Sequence, residues 1–236
     1  MNIAVYCASR ELYPFMLGGI KSMLRNGGAD KIYMIIEDDE FREPLPSEIE
    51  IINFHDQKIF HPSGPNMNQR FTYMTLARAA LTKLLPHDVD KVLSMDCDTV
   101  VVKSIEELWE RDMGGYLISA SREPINCRWD KTYYNTGVNL INLKLLRETG
   151  IDDQMIKALN SFPYRFPEQD VFNEFCQGRV LEMPSEFNYN DYVAKPMQEV
   201  RIRHYAGHGV NIWGYLPDVQ HYLNMPWNEV FRRENR

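Results

Sequence analysis

Val92-Leu93-Ser94-Met95-Asp96-Cys97-Asp98-Thr99-Val100-Val101-Val102 is the stretch that decides how this chain is read. A short apolar run bounded by polar residues reads as a buried strand, and an acidic pair stands at its carboxyl end, with a second mostly apolar run directly behind it. Carboxylates that interrupt a buried run are costly without a partner. In an extended backbone, residues i and i+2 point to the same side. That spacing predicts that Asp96 and Asp98 share one side and offer hard oxygen ligands suited to Mg²⁺ or Mn²⁺. A bare Asp-x-Asp also fits a solvated acidic turn, so the pair needs support from the rest of the chain.

Upstream of the pair, apolar runs alternate with helical spacing. Ile3 to Ala8 reads as a buried strand, and Leu12 to Leu24 as a helix ended by Gly27-Gly28. Ile32 to Ile36 and Ile49 to Phe54 read as strands, and the Pro- and Gly-bearing segment Gln57 to Gln69 as a loop. Phe71 to Leu85 has helical periodicity and stops at Pro86. Strands alternating with helices predict a mostly parallel sheet covered on both faces. In such sheets ligands bind outside the carboxyl ends of the strands, where the acidic pair stands.

Downstream the pattern is less regular. Tyr116 to Ala120 and Gly137 to Leu143 read as strands, separated by an irregular stretch with Pro124, Trp129 and Asp130. Asp152 to Ser161 and Glu168 to Gln177 read as helices, and Val180 to Met183 and Arg201 to Tyr205 as short strands. Neither a repeat nor a linker interrupts the chain. The expectation is one α/β domain over residues 1–214, with a nucleotide-binding half of about 1–110, an acceptor half of about 111–214 and a C-terminal tail over 215–236 that is either part of the same domain or peripheral.

Composition narrows the class. The 236 residues carry a formal net charge of −7, which argues against a nucleic-acid partner. A chain of this length buries roughly 70–75% of its unfolded surface and folds without a disulfide or metal staple. Cys7, Cys97, Cys127 and Cys176 form no CxxC pair, which fits reduced thiols and a cytoplasmic location. The sequence has no apolar run long enough to span a membrane and no signal-peptide pattern at its start.

Three further groups are candidates for chemistry. Tyr133-Tyr134-Asn135-Thr136-Gly137 stands at the entry of an apolar run and could hold a sugar by amide bonds and ring packing; a plain turn would use the same letters. Pro167-Glu168-Gln169-Asp170 opens a helix, where acidic residues are ordinary start chemistry. His204 ends a short strand before Gly207. Its neighbour His208 is four residues on, but the glycines between argue against a helix, which leaves His204 alone as the ligand candidate.

Taken in order, these stretches resemble glycosyltransferase family 8, the group of bacterial lipopolysaccharide galactosyl- and glucosyltransferases and glycogenin. The resemblance runs through the Arg78-bearing helix, Asp96-Cys97-Asp98-Thr99-Val100-Val101, Tyr134 to Asn142, Pro167 to Asn173, Phe187-Asn188-Tyr189 and His204-Tyr205-Ala206-Gly207. It implies a GT-A fold, a UDP-sugar donor, Mn²⁺ with Mg²⁺ as a substitute, and transfer of a hexose with retention. By position it implies that Asp96, Asp98 and His204 ligate the metal and that Arg78 reaches the donor. Asn135 would hold the sugar, Gln169 would lie near the reacting carbon and Asp170 would orient sugar hydroxyls. Ala8, Ser9, Tyr13, Cys97, Gly137 and Gly207 would complete the donor site. The acceptor would be a saccharide, a lipid-linked glycan or a protein.

The chain departs from the family pattern twice. Arg10 stands where the family places an acidic or amide reader of uracil, and the Lys-Pro-Trp expected after His-Tyr-x-Gly is replaced by His208 to Trp213, with no Lys. Lys195 or Arg78 would then have to serve the phosphates. Two other readings are weighed beside the enzyme. One is a nucleotide-sugar-binding protein without turnover. The other is a phosphatase of the haloacid-dehalogenase type, whose nucleophile motif Asp96 to Val100 also fits; Asp152-Asp153 would have to supply its second acidic pair. The mixed-charge aromatic tail, with Trp227, Phe231 and Arg232 to Arg236, raises membrane association as a weak expectation.

Overall fold

In the computed structural model, residues 1–38, 40–67, 73–123, 132–190, 199–207 and 215–231 are described. Expectations for Gln69, Phe71, Pro124, Cys127, Trp129, Asp130, Lys195, His208, Trp213 and Arg232 to Arg236 fall outside these residues.

A seven-stranded sheet runs in the order β3-β2-β1-β4-β7-β6-β8. It is built from β1 (Ile3–Ala8), β2 (Lys31–Ile36), β3 (Ile49–Asn53), β4 (Lys91–Met95), β6 (Ile118–Arg122), β7 (Tyr134–Asn142) and β8 (Val180–Glu182). β3, β2, β1 and β4 are mutually parallel, β7 alone runs antiparallel to its neighbours, and β8 is parallel to β6. The predicted mostly parallel α/β sheet is therefore present. The sheet's central strands are buried on both faces, by one cluster that includes Val5, Val92, Ile141 and Phe172 and another that includes Tyr6, Leu93, Leu140 and Ile20.

The antiparallel setting of β7 has a functional consequence. Parallel strands present their carboxyl ends at one edge of the sheet, and an antiparallel strand presents its amino end there. Met95 pairs with Val138 and the Asp96 N–H donates to the Gly137 carbonyl at 2.8 Å. The start of β7 thus lies beside the acidic pair.

A second sheet of three strands, β5 (Thr99–Val101), β9 (Tyr189–Asn190) and β10 (Ile202–His204), takes the order β5-β10-β9. β10 runs antiparallel to β5, with His204 opposite Thr99. This sheet carries His204 to the same edge.

Helices fill in around the sheets. α1 (Tyr13–Ser22) continues through a wider turn, Met23–Gly27, and ends at Gly28 with φ +68°, a backbone conformation that glycine adopts at little cost. The segment predicted as a helix from Phe71 is mostly a 3₁₀ helix, Tyr73–Ala80, which passes into α2 (Leu81–Leu84). The sequence reading missed α3 (Glu106–Trp109) and α4 (Leu143–Thr149), where β7 gives way to a helix capped by the Asn142 side chain on Leu145 N–H. α5 (Ile151–Ser161) and α6 (Pro167–Phe175) lie close to their predicted positions.

Residues 215–231 pack against the rest of the chain. They form α7 (Pro217–Asn224) and α8 (Trp227–Val230), which pack on α1 and β5 through Val219, Tyr222, Met225, Val230 and Val100. Lys21 donates to the Leu223 carbonyl at 3.2 Å, and the Asn26 amide donates to the Tyr222 hydroxyl at 2.6 Å. Because β5 leads directly out of the acidic turn, this packing supports the site from behind. Tyr222→Ala removes a buried ring and a hydrogen-bond partner, and is expected to lower unfolding free energy by about 3 kcal/mol, measured by denaturant titration.

Candidate active site

Asp96, Cys97 and Asp98 form a tight turn between β4 and β5, closed by the Thr99 hydroxyl donating to the Asp96 carbonyl at 2.6 Å. Their carboxylates converge because the chain reverses there. The extended i, i+2 geometry expected from the sequence is absent. His204 completes the group: its Nε2 lies 3.4 Å from Asp96 Oδ2 and 3.3 Å from Asp98 Oδ1. One ligand atom from each of these three side chains falls within 4.8 Å of the others, the only such group among the described residues.

Gly137 makes room for it. A Cβ at that position would lie 2.7 Å from His204 Nδ1 and 2.8 Å from Asp96 Oδ2, and nearer still to the ring carbon between the two imidazole nitrogens. No other residue fits without displacing the imidazole. Gly137→Ala is expected to fold yet lose at least tenfold in divalent-cation affinity, read by calorimetric titration with Mn²⁺.

Arg78 lies behind Asp96. Its side chain is 4% exposed. Its guanidinium donates to Asp96 Oδ1, the Thr136 carbonyl and, at 2.9 Å, Ser94 Oγ. Burial disfavours the Asp96 anion, but Arg78 and His204 outweigh it and hold the carboxyl well below its ordinary range. Burial likewise works against charged His204, yet Asp98 and Asp96 raise its pKa to about 10.

Glu168, read from sequence as helix-start chemistry, is a buried member of the same network. Thr136 Oγ1 donates to its Oε2 at 2.9 Å, while its Oε1 lies 3.7 Å from Arg78 and has no hydrogen-bond partner. Burial pushes its pKa up to about 7, with Arg78 opposing the rise. An acid with a raised folded-state pKa binds more protons folded than unfolded, so this group costs stability as pH rises from 4.5 to 7. Glu168→Gln lacks that cost. Its melting temperature relative to wild type is expected to climb across that window and level off above it.

The remaining predicted residues line the same edge. The Gln169 amide oxygen accepts from Thr136 N–H at 3.1 Å and its nitrogen donates to the Tyr133 hydroxyl at 3.3 Å. Tyr133 in turn donates to Asp170, whose other oxygen accepts from Phe166 N–H at 2.9 Å. Asn135 lies within β7 rather than in a turn before it; it bonds Glu123, Gly137 N–H and Asn188. Cys97 sits half-buried in the acidic turn, and Gly207 follows β10 with φ +91°. Ala8 ends β1 and Ser9 follows it, and both are buried. Tyr13 opens α1, accepting from Glu37 N–H at 3.0 Å and donating to Asp38 at 2.8 Å. Arg10 pairs with Asp38 at 3.1 Å and with Glu40 at 3.1 Å. Asp152 and Asp153, the second acidic pair a phosphatase would need, instead bind Lys83 at the start of α5.

The sequence profile of glycosyl transferase family 8 matches residues 37–215. The chain belongs to glycosyltransferase family 8. A Haemophilus influenzae protein named as a glycosyltransferase is 26% identical, over 88% of this chain and 71% of its own length. The fold matches the Streptococcus pneumoniae glycosyltransferase GlyE with a TM-score of 0.75 and 20% identity, over 97% of this chain and 62% of that one. It matches galactosyltransferase LgtC, solved with donor and acceptor sugar analogs, with a TM-score of 0.67 and 22% identity, over 98% and 95% of the two chains. These neighbours share the GT-A fold. Family 8 membership sets the phosphatase reading aside. Ser94, Glu168 and Asn188 join the site without having been given a functional role. Their signal is burial beside a charge, which one sequence does not display.

Proposed function

We propose that this chain is a retaining hexosyltransferase that moves glucose or galactose from a UDP-sugar to a saccharide, lipid-linked glycan or protein acceptor, with Mn²⁺, or Mg²⁺ in its place, held by Asp96, Asp98 and His204. The observation that carries the reading is the convergence of two carboxylates and an imidazole at the carboxyl edge of a parallel sheet in a family 8 chain. Two carboxylate oxygens and one imidazole suit a small divalent cation and leave positions for diphosphate oxygens.

The cation would supply charge neutralisation for the departing diphosphate. The protein's own part is positioning and preorganised electrostatics. Arg78 keeps Asp96 ionised and fixed from behind. Gln169 has its amide oxygen engaged by a backbone N–H, so it offers a donor N–H to the sugar rather than a free acceptor. Asn135 and Asp170 hold sugar hydroxyls from either side of it. Tyr13, Ser9 and Ala8 support the base half of the donor at the end of β1.

One observation favours a second reading, a nucleotide-sugar-binding protein without turnover. Arg10, which stands where the family places an acidic or amide reader of uracil, is held in ion pairs with Asp38 and Glu40. A panel of nucleotide sugars, each with and without Mn²⁺, separates the two by release of free nucleotide. Release from one UDP-sugar that requires Mn²⁺ and is lost in Asp98→Ala is the expected result, with Gln169→Ala lowering kcat more than donor affinity. Binding without release from any donor would favour the second reading, and neither binding nor release would defeat both.

A further inference from the structure

His204 meets the acidic pair with one ring nitrogen and Asn188 with the other. Asn188 lies just before β9, is buried, and belongs to a chain of amides whose polarity can be read end to end. Asn135 is its anchor. The Asn135 side-chain oxygen accepts from Gly137 N–H at 2.9 Å, and its nitrogen donates to Glu123 Oε2 at 2.9 Å. A backbone amide only donates and a carboxylate only accepts, so the orientation of Asn135 is set from both sides.

Asn188 faces two acceptors of that residue, the side-chain oxygen at 2.9 Å and the main-chain oxygen at 3.3 Å. It must present its nitrogen there. Its own oxygen is then the atom 2.8 Å from His204 Nδ1, and the imidazole has to donate across that gap. Nε2 is left facing Asp96 and Asp98.

We infer that Asn188 is a positioning residue that fixes His204 with its proton on Nδ1 and so presents Nε2 to the divalent cation shared with Asp96 and Asp98. Metal-ligating histidines need the other ring nitrogen held by an acceptor, and loss of that partner commonly costs 10- to 100-fold in metal affinity. Four strands take part: Glu123 follows β6, Asn135 and Gly137 lie in β7, Asn188 precedes β9 and His204 ends β10. The small sheet is thereby registered against the large one through the same bonds that orient the ligand. The inference rests on the metal-dependent reading above.

The test is Mn²⁺ titration by calorimetry of the full chain and of Asn188→Leu and Asn188→Asp, with circular dichroism and thermal unfolding to confirm that each variant folds. Leu fills the site and accepts nothing, whereas Asp keeps the acceptor for Nδ1–H. The expected result is an affinity about 10- to 100-fold weaker for Asn188→Leu, with Asn188→Asp well above it. In parallel, ¹¹³Cd²⁺ bound to wild-type protein carrying ¹⁵N-histidine is expected to show scalar coupling to His204 Nε2. Wild-type affinity in Asn188→Leu, equal weakening in Asn188→Asp, or cadmium coupling to Nδ1 would each overturn the inference while leaving the metal site standing. Failure of the wild-type chain to bind Mn²⁺ at all would instead bring down the metal reading, and this one with it.

Discussion

The Arg78 guanidinium is enclosed where three elements meet, bonded to Ser94 at the end of β4, to Asp96 just beyond it and to the Thr136 carbonyl in β7, with Glu168 of α6 at 3.7 Å. A buried cation of this kind is tolerable only when paired and hydrogen-bonded, and breaking such a pair costs about 3–5 kcal/mol. Its position therefore sets the position of everything around it. The acidic turn, the start of β7 and the first turn of α6 are held at one distance from each other by a charge that none of them can leave unpaired. Asp96 stays ionised as a result, with its second oxygen turned toward His204.

Around that charge the topology does the remaining work. A sheet of parallel strands gathers only carboxyl ends at its functional edge. The reversed strand β7 adds an amino-terminal segment, Tyr134 to Gly137, to the same edge. The small sheet adds His204 by pairing β10 with the strand that leaves the acidic turn. Gly137 lies where these three contributions meet. Its N–H orients Asn135, its carbonyl receives Asp96 N–H, and its missing side chain leaves the volume that His204 fills. The negative charge of Asp96 and Asp98 raises the pKa of His204.

The parts that were legible and the parts that were not divide along physical lines. The buried strands β1, β2 and β4 were legible because a strand covered on both faces must be apolar along its length. α5 and α6 were legible because a helix covered on one face by neighbouring elements repeats its apolar residues at helical spacing. α4 was missed because Leu143 continues the apolar run of β7, and only the Asn142 cap marks the change. Residues 215–231 show little helical periodicity because their helices, Pro217–Asn224 and Trp227–Val230, are short; they become part of the core by covering α1 and β5. Arg78 was expected to reach the donor, but its burial beneath Asp96 depends on the length of a side chain and the placement of a neighbouring strand.

By itself the sequence determined the local requirements: which runs had to be buried, where an acidic pair would end a strand, which residue types stood ready to bind a cation, and, through the order of those motifs, the family. Those properties are written in near neighbours along the chain. Only the tertiary structure decided which of these groups meet. Asp96 and His204 are separated by more than a hundred residues, and their approach depends on strand order and on the direction of β7. The polarity of the amide chain from Glu123 to His204 likewise exists only once four strands are in register. Hydrogen-bond direction is a property of pairs in space, and a sequence lists the members of those pairs without joining them.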